Sequence, residues 1–232
     1  MSLNQILAIS ESVGINDHRF IGTMISRNQR ISTSEIMTVV PFSFDMKPMN
    51  YLLYSKNRTL LNSLRIPDMA LEQYLNFGTT GWANYIYYQG DMTGGQCATC
   101  QIETATTIGT KNIILGNLPS ISSTAYIVRQ GDFIQIDRYA YIATADVLRG
   151  SGTTVTIPVH RNILTQIVSP ENAVIGQYGT TQSLGGSTYT GITFCVILRA
   201  YPTYTLVPIT DDSFIQWSGA FTAFENVLPA TS

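Results

Sequence analysis

Hydrophobic and polar positions alternate along residues 34–46. Ile36, Thr38, Val40, Phe42, Phe44 and Met46 share one parity, and Glu35, Ser43 and Asp45 fall on the other. A period of two belongs to a half-buried strand, whose successive side chains point to opposite faces. Pro41 has no amide hydrogen for a ladder, so the strand runs along an edge or bends there. The period lengthens at residues 57–77, where Leu60, Leu61, Leu64, Met69, Leu71 and Leu75 recur at helical spacing. Asn57 suits an N-cap, and Gly78 stands where a helix should stop. Pro67 kinks or divides this stretch, and the spacing predicts one short turn followed by a better helix over 67–76.

Beyond Gly81 the pattern is that of strands. Trp82, Tyr85, Tyr87 and Tyr88 crowd one run, residues 91–95 read as a turn, and further strands are expected over 101–107, 112–115 and 125–128. Residues 131–161 carry the clearest signal. Phe133, Ile134 and Ile136 form a short strand, Asp137–Arg138 turns the chain into 139–145, and Val147 and Leu148 lead to a hairpin-type turn at Gly150–Ser151–Gly152. Val155, Ile157 and Val159 then alternate. Residues 176–191 are Gly, Ser, Thr and Gln with almost no charge, the composition of a long loop or flexible hairpin. A strongly apolar run, 192–208, breaks at Pro202. In 214–226, Ile215, Trp217, Phe221 and Ala223 share a parity around Gly219, which reads as a bulge.

The expected fold is mainly β (α+β): a sandwich or barrel with one flanking helix and an inserted small β module. The order of elements suggests a split domain, 1–115 and 165–232 with its helix near 67–77, around a barrel-like module at 116–164.

Composition narrows what such a fold could do. Of 232 residues 44% are hydrophobic, enough for a core, so disorder throughout is excluded. Only 12% are charged, about half the usual share. The net charge of −2 excludes a strongly basic nucleic-acid binder. No apolar run has the roughly 18 residues of a membrane-spanning helix. Residues 1–14 lack a basic start and carry Glu11, so they read as a retained arm or first strand and not as a signal peptide.

Candidate chemistry is sparse. Cys97 and Cys100 form a CxxC without a second pair or a nearby His, so two ordinary thiols in a loop or strand end are expected, and no metal. His18 and His160 lack partners at metal-ligand spacing and read as polar strand-end or interface residues. Asp211–Asp212 could be half of a glycosidase pair, but like Asp132 they stand where Asp favours turns. Neither Gly94–Gly95 nor Gly185–Gly186 belongs to a phosphate-binding motif or precedes a good helix. Arg27 and Arg30, with Arg19 nearby, suit a subunit–subunit ion pair better than a nucleic-acid contact. The Tyr-rich stretch 85–88 suits packing and an interface, with sugar stacking as the alternative. Arg27, Arg30, Tyr87 and Arg161 are the expected assembly contacts. No catalytic, cofactor-binding or metal-binding residue is assigned.

Three segments carry a resemblance: residues 30–48 (RISTSEIMTVVPFSFDMKP), 131–161 (GDFIQIDRYAYIATADVLRGSGTTVTIPVHR) and 214–227 (FIQWSGAFTAFENV). Together they resemble tail proteins of tailed bacteriophages, in particular the tube-initiator and distal tail protein group. The middle segment is similar to a small β module recurring in tail-tip proteins. The resemblance implies a tube-like fold whose copies close a ring, six to a turn, between tail tube and baseplate. The implied partners are copies of itself and neighbouring tail-tube and baseplate hub proteins. Genome DNA would pass through the channel without specific binding. It further implies a structural protein of the virion, assembled in the host cytoplasm, with no enzymatic activity, cofactor or membrane. The chain is larger than a minimal tube subunit, which favours a specialised ring near the baseplate. A carbohydrate-binding β module on a tail tip is the alternative.

Overall fold

The computed structural model describes residues 3–17, 21–25, 31–35, 40–64, 71–79, 84–181 and 183–227. The alternation at 40–46 is realised in the strand Phe42–Pro48, where Phe42, Phe44 and Met46 are buried. It does not extend back as one strand, because Ile31–Glu35 pairs in a separate hairpin with Ile21–Ile25. Phe42–Pro48 lies inside a five-stranded antiparallel sheet. The strand order is Ser10–Asp17, Phe42–Pro48, Phe221–Glu225, Thr193–Ala200 and Gln73–Asn76. This sheet curls as a half-barrel, and the fold is mainly β.

The helix lies earlier than its spacing predicted. It spans Tyr54–Leu64, and Gln73–Asn76, inside the expected helix, is a strand. Leu75 pairs opposite Phe194, so a long-range ladder overrides the local helical spacing. Asn57 is not the cap. Its amide bonds back to the Leu53 carbonyl (2.8 Å), while Asp212, from the far end of the chain, receives the Ser55 N–H (3.2 Å) and hydroxyl (2.6 Å). Two six-residue helices, Leu3–Ala8 and Gly94–Thr99, are also present among the described residues.

Other boundaries moved for similar reasons. Asn84–Ile86 is a single 3-10 turn and not a strand. Only Gln101–Ile102 of the expected strand at 101–107 is extended. The glycine turn at 150–152 does not close a hairpin. Val147–Leu148 pairs with Tyr126–Val128, and Val155–Pro158 pairs with Asn112–Gly116. Gly219 is a corner between sheets: Ser213–Trp217 pairs with Tyr204–Pro208, and Phe221–Glu225 joins the five-stranded sheet.

Two hydrophobic cores result. The first is aromatic, with Phe194 at its centre, 4.8–6.1 Å between ring centroids from Phe42, Phe44, Phe77 and Phe133. The second is rich in isoleucine, and its buried residues run from Met92 to Ile175. The strands Phe133–Ile136, Tyr139–Ile142 and Val174–Ile175 form a sheet between the two. Phe133, Ala140 and Val174 enter the first core, whereas Ile134, Ile136, Tyr139, Tyr141 and Ile175 enter the second. A sheet covered on both faces shows no clean polar alternation, which is why "FIQI" is buried at every position. Its one polar residue, Gln135, acts as a ladder rung. Its amide donates to the Thr193 carbonyl (3.0 Å) and accepts the Thr193 N–H (2.7 Å).

Gly176 holds the junction where three segments meet. At φ +57° a Cβ would stand 2.8 Å from both the Ile86 carbonyl oxygen and the Tyr88 nitrogen, so only glycine fits.

Candidate functional site

Of the four expected assembly residues, Tyr87 and Arg161 are described. Arg27 and Arg30 lie outside the described residues, as does His18. Tyr87 is half-buried against the first core. Arg161 is 0% exposed, which overturns its assignment as a contact with a neighbouring subunit. Its guanidinium meets Glu225 through two bonds of 2.5 and 2.6 Å. It also donates to the carbonyls of Val40 (3.0 Å) and Ala140 (2.7 Å). Glu225 in turn accepts the Phe42 N–H (3.1 Å). Burial works against the charge on Arg161, but Glu225 outweighs it, and the pKa lies above the ordinary value. A bidentate pair whose two terminal guanidinium nitrogens also reach carbonyls is a form in which a buried charge is tolerated, although the Arg161 Nε meets no partner among the described residues. This joint fastens the segment after Val155–Pro158 to the five-stranded sheet, so its role is internal.

The remaining titratable candidates serve the fold in the same way. His160, buried next to Arg161, accepts the Ile142 N–H at Nδ1 (3.0 Å) and faces the Phe42 ring at 5.4 Å. Asp132 is buried in the turn expected of it, taking the N–H groups of Gln89 and Arg129 (both 2.8 Å). Burial raises its pKa, opposed by those two bonds. Asp212 is half-buried and caps the helix, and its bond from the Ser55 hydroxyl leads the causes that lower its pKa. Cys97 and Cys100 are buried free thiols. They lie on and at the end of the helix Gly94–Thr99, and not in a loop, because Thr93 and Gln96 form a reciprocal capping box. Burial pushes the Cys97 thiol up to about 12 and the Cys100 thiol up to about 11. Among the described residues, no three His, Cys, Asp or Glu side chains group as metal ligands. None of their helices is long and apolar enough to cross a membrane.

The surface that stands out was missed in the sequence. Tyr204–Pro208 is the edge of a three-stranded sheet among the described residues and pairs with Ser213–Trp217. Leu206 (45% exposed), Val207 and Ile209 are all exposed along it. Neighbouring residues of a strand point to opposite faces, so Leu206 and Val207 expose apolar surface on both. On the face of Val207, Tyr51 is 67% exposed and packs edge-on against Phe214 (5.9 Å). On the face of Leu206, a groove of about 510 Å³ opens against the helix Tyr54–Leu64. It is lined by Tyr54, Leu61, Tyr201, Tyr204, Leu206 and Trp217. Its rings connect in series through the buried Phe221, Tyr204 to Trp217 to Phe221 to Tyr201, at 5.2–5.4 Å. The signal available beforehand was the failure of "TLVPI" to alternate: a strand half-buried in a single chain should.

Compared with models of known protein families and with curated proteins, the chain matches none.

Proposed function

We propose that this protein is a structural component of a phage virion, a ring that joins the tail tube to the baseplate and lines the DNA channel. The observation that supports assembly is the exposed apolar surface of Leu206, Val207 and Ile209 along a sheet edge. A strand at a sheet edge offers a template to a further strand, and proteins that work alone blunt such edges with charge, proline or a covering element. Here Leu206 and Val207 stand at mid-strand, and Pro208 comes only at its end. A second copy closing on this edge would satisfy the backbone groups and remove the apolar surface from water together. The ring and its six-fold order rest on the tail-protein resemblance. The low charge and slight acidity suit a channel that does not hold phosphate.

Light scattering of the purified chain, with negative-stain images of the same sample, tests this reading. Rings or stacked tubes are expected, and Leu206→Lys with Val207→Lys is expected to yield a folded monomer. A wild-type chain that stays monomeric at every concentration would defeat self-assembly. The aromatic groove favours one alternative, a carbohydrate-binding module on a tail tip. Glycan-array binding abolished by Tyr204→Ala would support it.

A further inference from the structure

Three buried sulfur-bearing side chains gather at the helix Gly94–Thr99, and the Cys97 and Cys100 thiols lie close enough to act on one another electrostatically. Met92, Cys97 and Cys100 are all buried and belong to the second core. Cys97 and Cys100 are three apart, which places them on one helical face. The outer face, Gly95, Ala98 and Thr99, is exposed, so the sulfurs lie one layer below the surface. The Cys100 thiol points to the Met92 thioether, Sγ to Sδ 3.8 Å, and lies 3.4 Å from the Gln96 carbonyl. Two sulfurs bound at roughly 2.3 Å to one tetrahedral metal stand about 3.8 Å apart, so this pair already has the spacing of co-ligands.

We propose that Met92, Cys97 and Cys100 form a binding site for one soft monovalent metal ion of the Cu(I) class. Two thiols and a thioether are the donor set that selects Cu(I) over harder ions. A Zn(II) site would want a fourth nitrogen, oxygen or thiolate ligand. Binding replaces the two thiol protons: Cu⁺ and two S–H groups give a copper dithiolate, with Met92 as third donor, and two protons leave to solvent. The product carries one negative charge, and the Arg149 guanidinium acts on Cys100 in the sense that favours the thiolate.

Anaerobic titration of the full chain with Cu(I), in competition with bicinchoninate, tests the site. One Cu(I) per chain is expected. Because two protons leave, affinity should tighten by up to about a hundredfold per pH unit below the thiol pKa values. Cys97→Ser and Cys100→Ser should each weaken binding at least about a hundredfold, and Met92→Leu about tenfold. Cys195→Ser, on the strand Thr193–Ala200, should leave binding unchanged. No copper withheld from the competitor, or equal retention by the Cys97→Ser/Cys100→Ser variant, would overturn the proposal. Should the serine variants not fold, X-ray absorption of the wild-type copper complex decides: three sulfur neighbours sustain the site, and nitrogen or oxygen neighbours refute it.

Discussion

Around Phe194 the first core is filled by phenylalanine, while around Ile134 the second is filled by isoleucine and valine. The first gathers strands from both ends of the chain, Ser10–Asp17 and Phe221–Glu225 among them. The second draws on one continuous stretch with short strands and tight turns. A wide space between a curled sheet and its covering elements needs bulky rings. Short strands turning back on neighbours leave narrow gaps that β-branched chains fill in few rotamers. The two cores therefore differ in how they should respond to damage, although they share a sheet and an ion pair.

The largest expected effect comes from the joint itself. Glu225→Ala strands a buried guanidinium and should cost about 3–5 kcal/mol, read by chemical denaturation. Replacing Arg161 and Glu225 together with Met and Leu should recover most of that loss. If the double variant is as unstable as the single one, the joint acts through shape and not through charge.

Next, Phe194→Ala should cost about 3–5 kcal/mol, because four neighbouring rings lose their shared partner. Ile136→Val, across the shared sheet, should cost only about 0.5–1.5 kcal/mol. Equal losses at the two positions would erase the distinction between the cores. Gly176→Ala, where both cores meet the turn, should cost about 1–3 kcal/mol through a strained φ and a backbone clash.

The smallest effect near neutral pH is a pH dependence. Burial pushes Cys97 up to about 12, Cys100 to about 11 and Cys195 to about 12. Unfolded thiols ionise near about 8.5. Between these values the folded chain holds more protons, so stability falls as pH rises. The loss is up to about 1.4 kcal/mol per thiol for each pH unit, before discounting for residual solvent. Substituting Cys97 and Cys100 together should flatten the alkaline limb more than substituting Cys195. The reverse order would show that the second core is the more open to solvent.

Much of the second core was legible in the chain. The strands Phe133–Ile136, Tyr139–Ile142 and Val155–Pro158, and the turn at Asp137–Arg138, fall where local pattern put them. Phe133–Ile136 and Tyr139–Ile142 pair with each other across that turn, so there local chemistry and tertiary structure agree. The first core was read less well. Gln73–Asn76 became a strand because its partner stands more than a hundred residues away, at Thr193–Val196. The cap of the helix came from Asp212, which no window around residue 54 contains. Arg161 looked like a surface charge because its partner, Glu225, is 64 residues further on. The exposed edge at Tyr204–Pro208 was visible only as an absent alternation, which a fully buried strand shows as well.

The ion pair also bears on how the protein is made. Arg161 leaves the ribosome before Glu225, and 64 residues of synthesis separate them, roughly 3–13 s at ordinary elongation rates. Throughout that interval a closed second core would enclose a guanidinium with no counter-charge. Closing the module before Glu225 arrives therefore carries the cost of an uncompensated charge, about 3–5 kcal/mol, and a chain broken off between the two positions keeps that cost. Glu225 thus favours the fold of chains translated through it over that of chains broken off earlier.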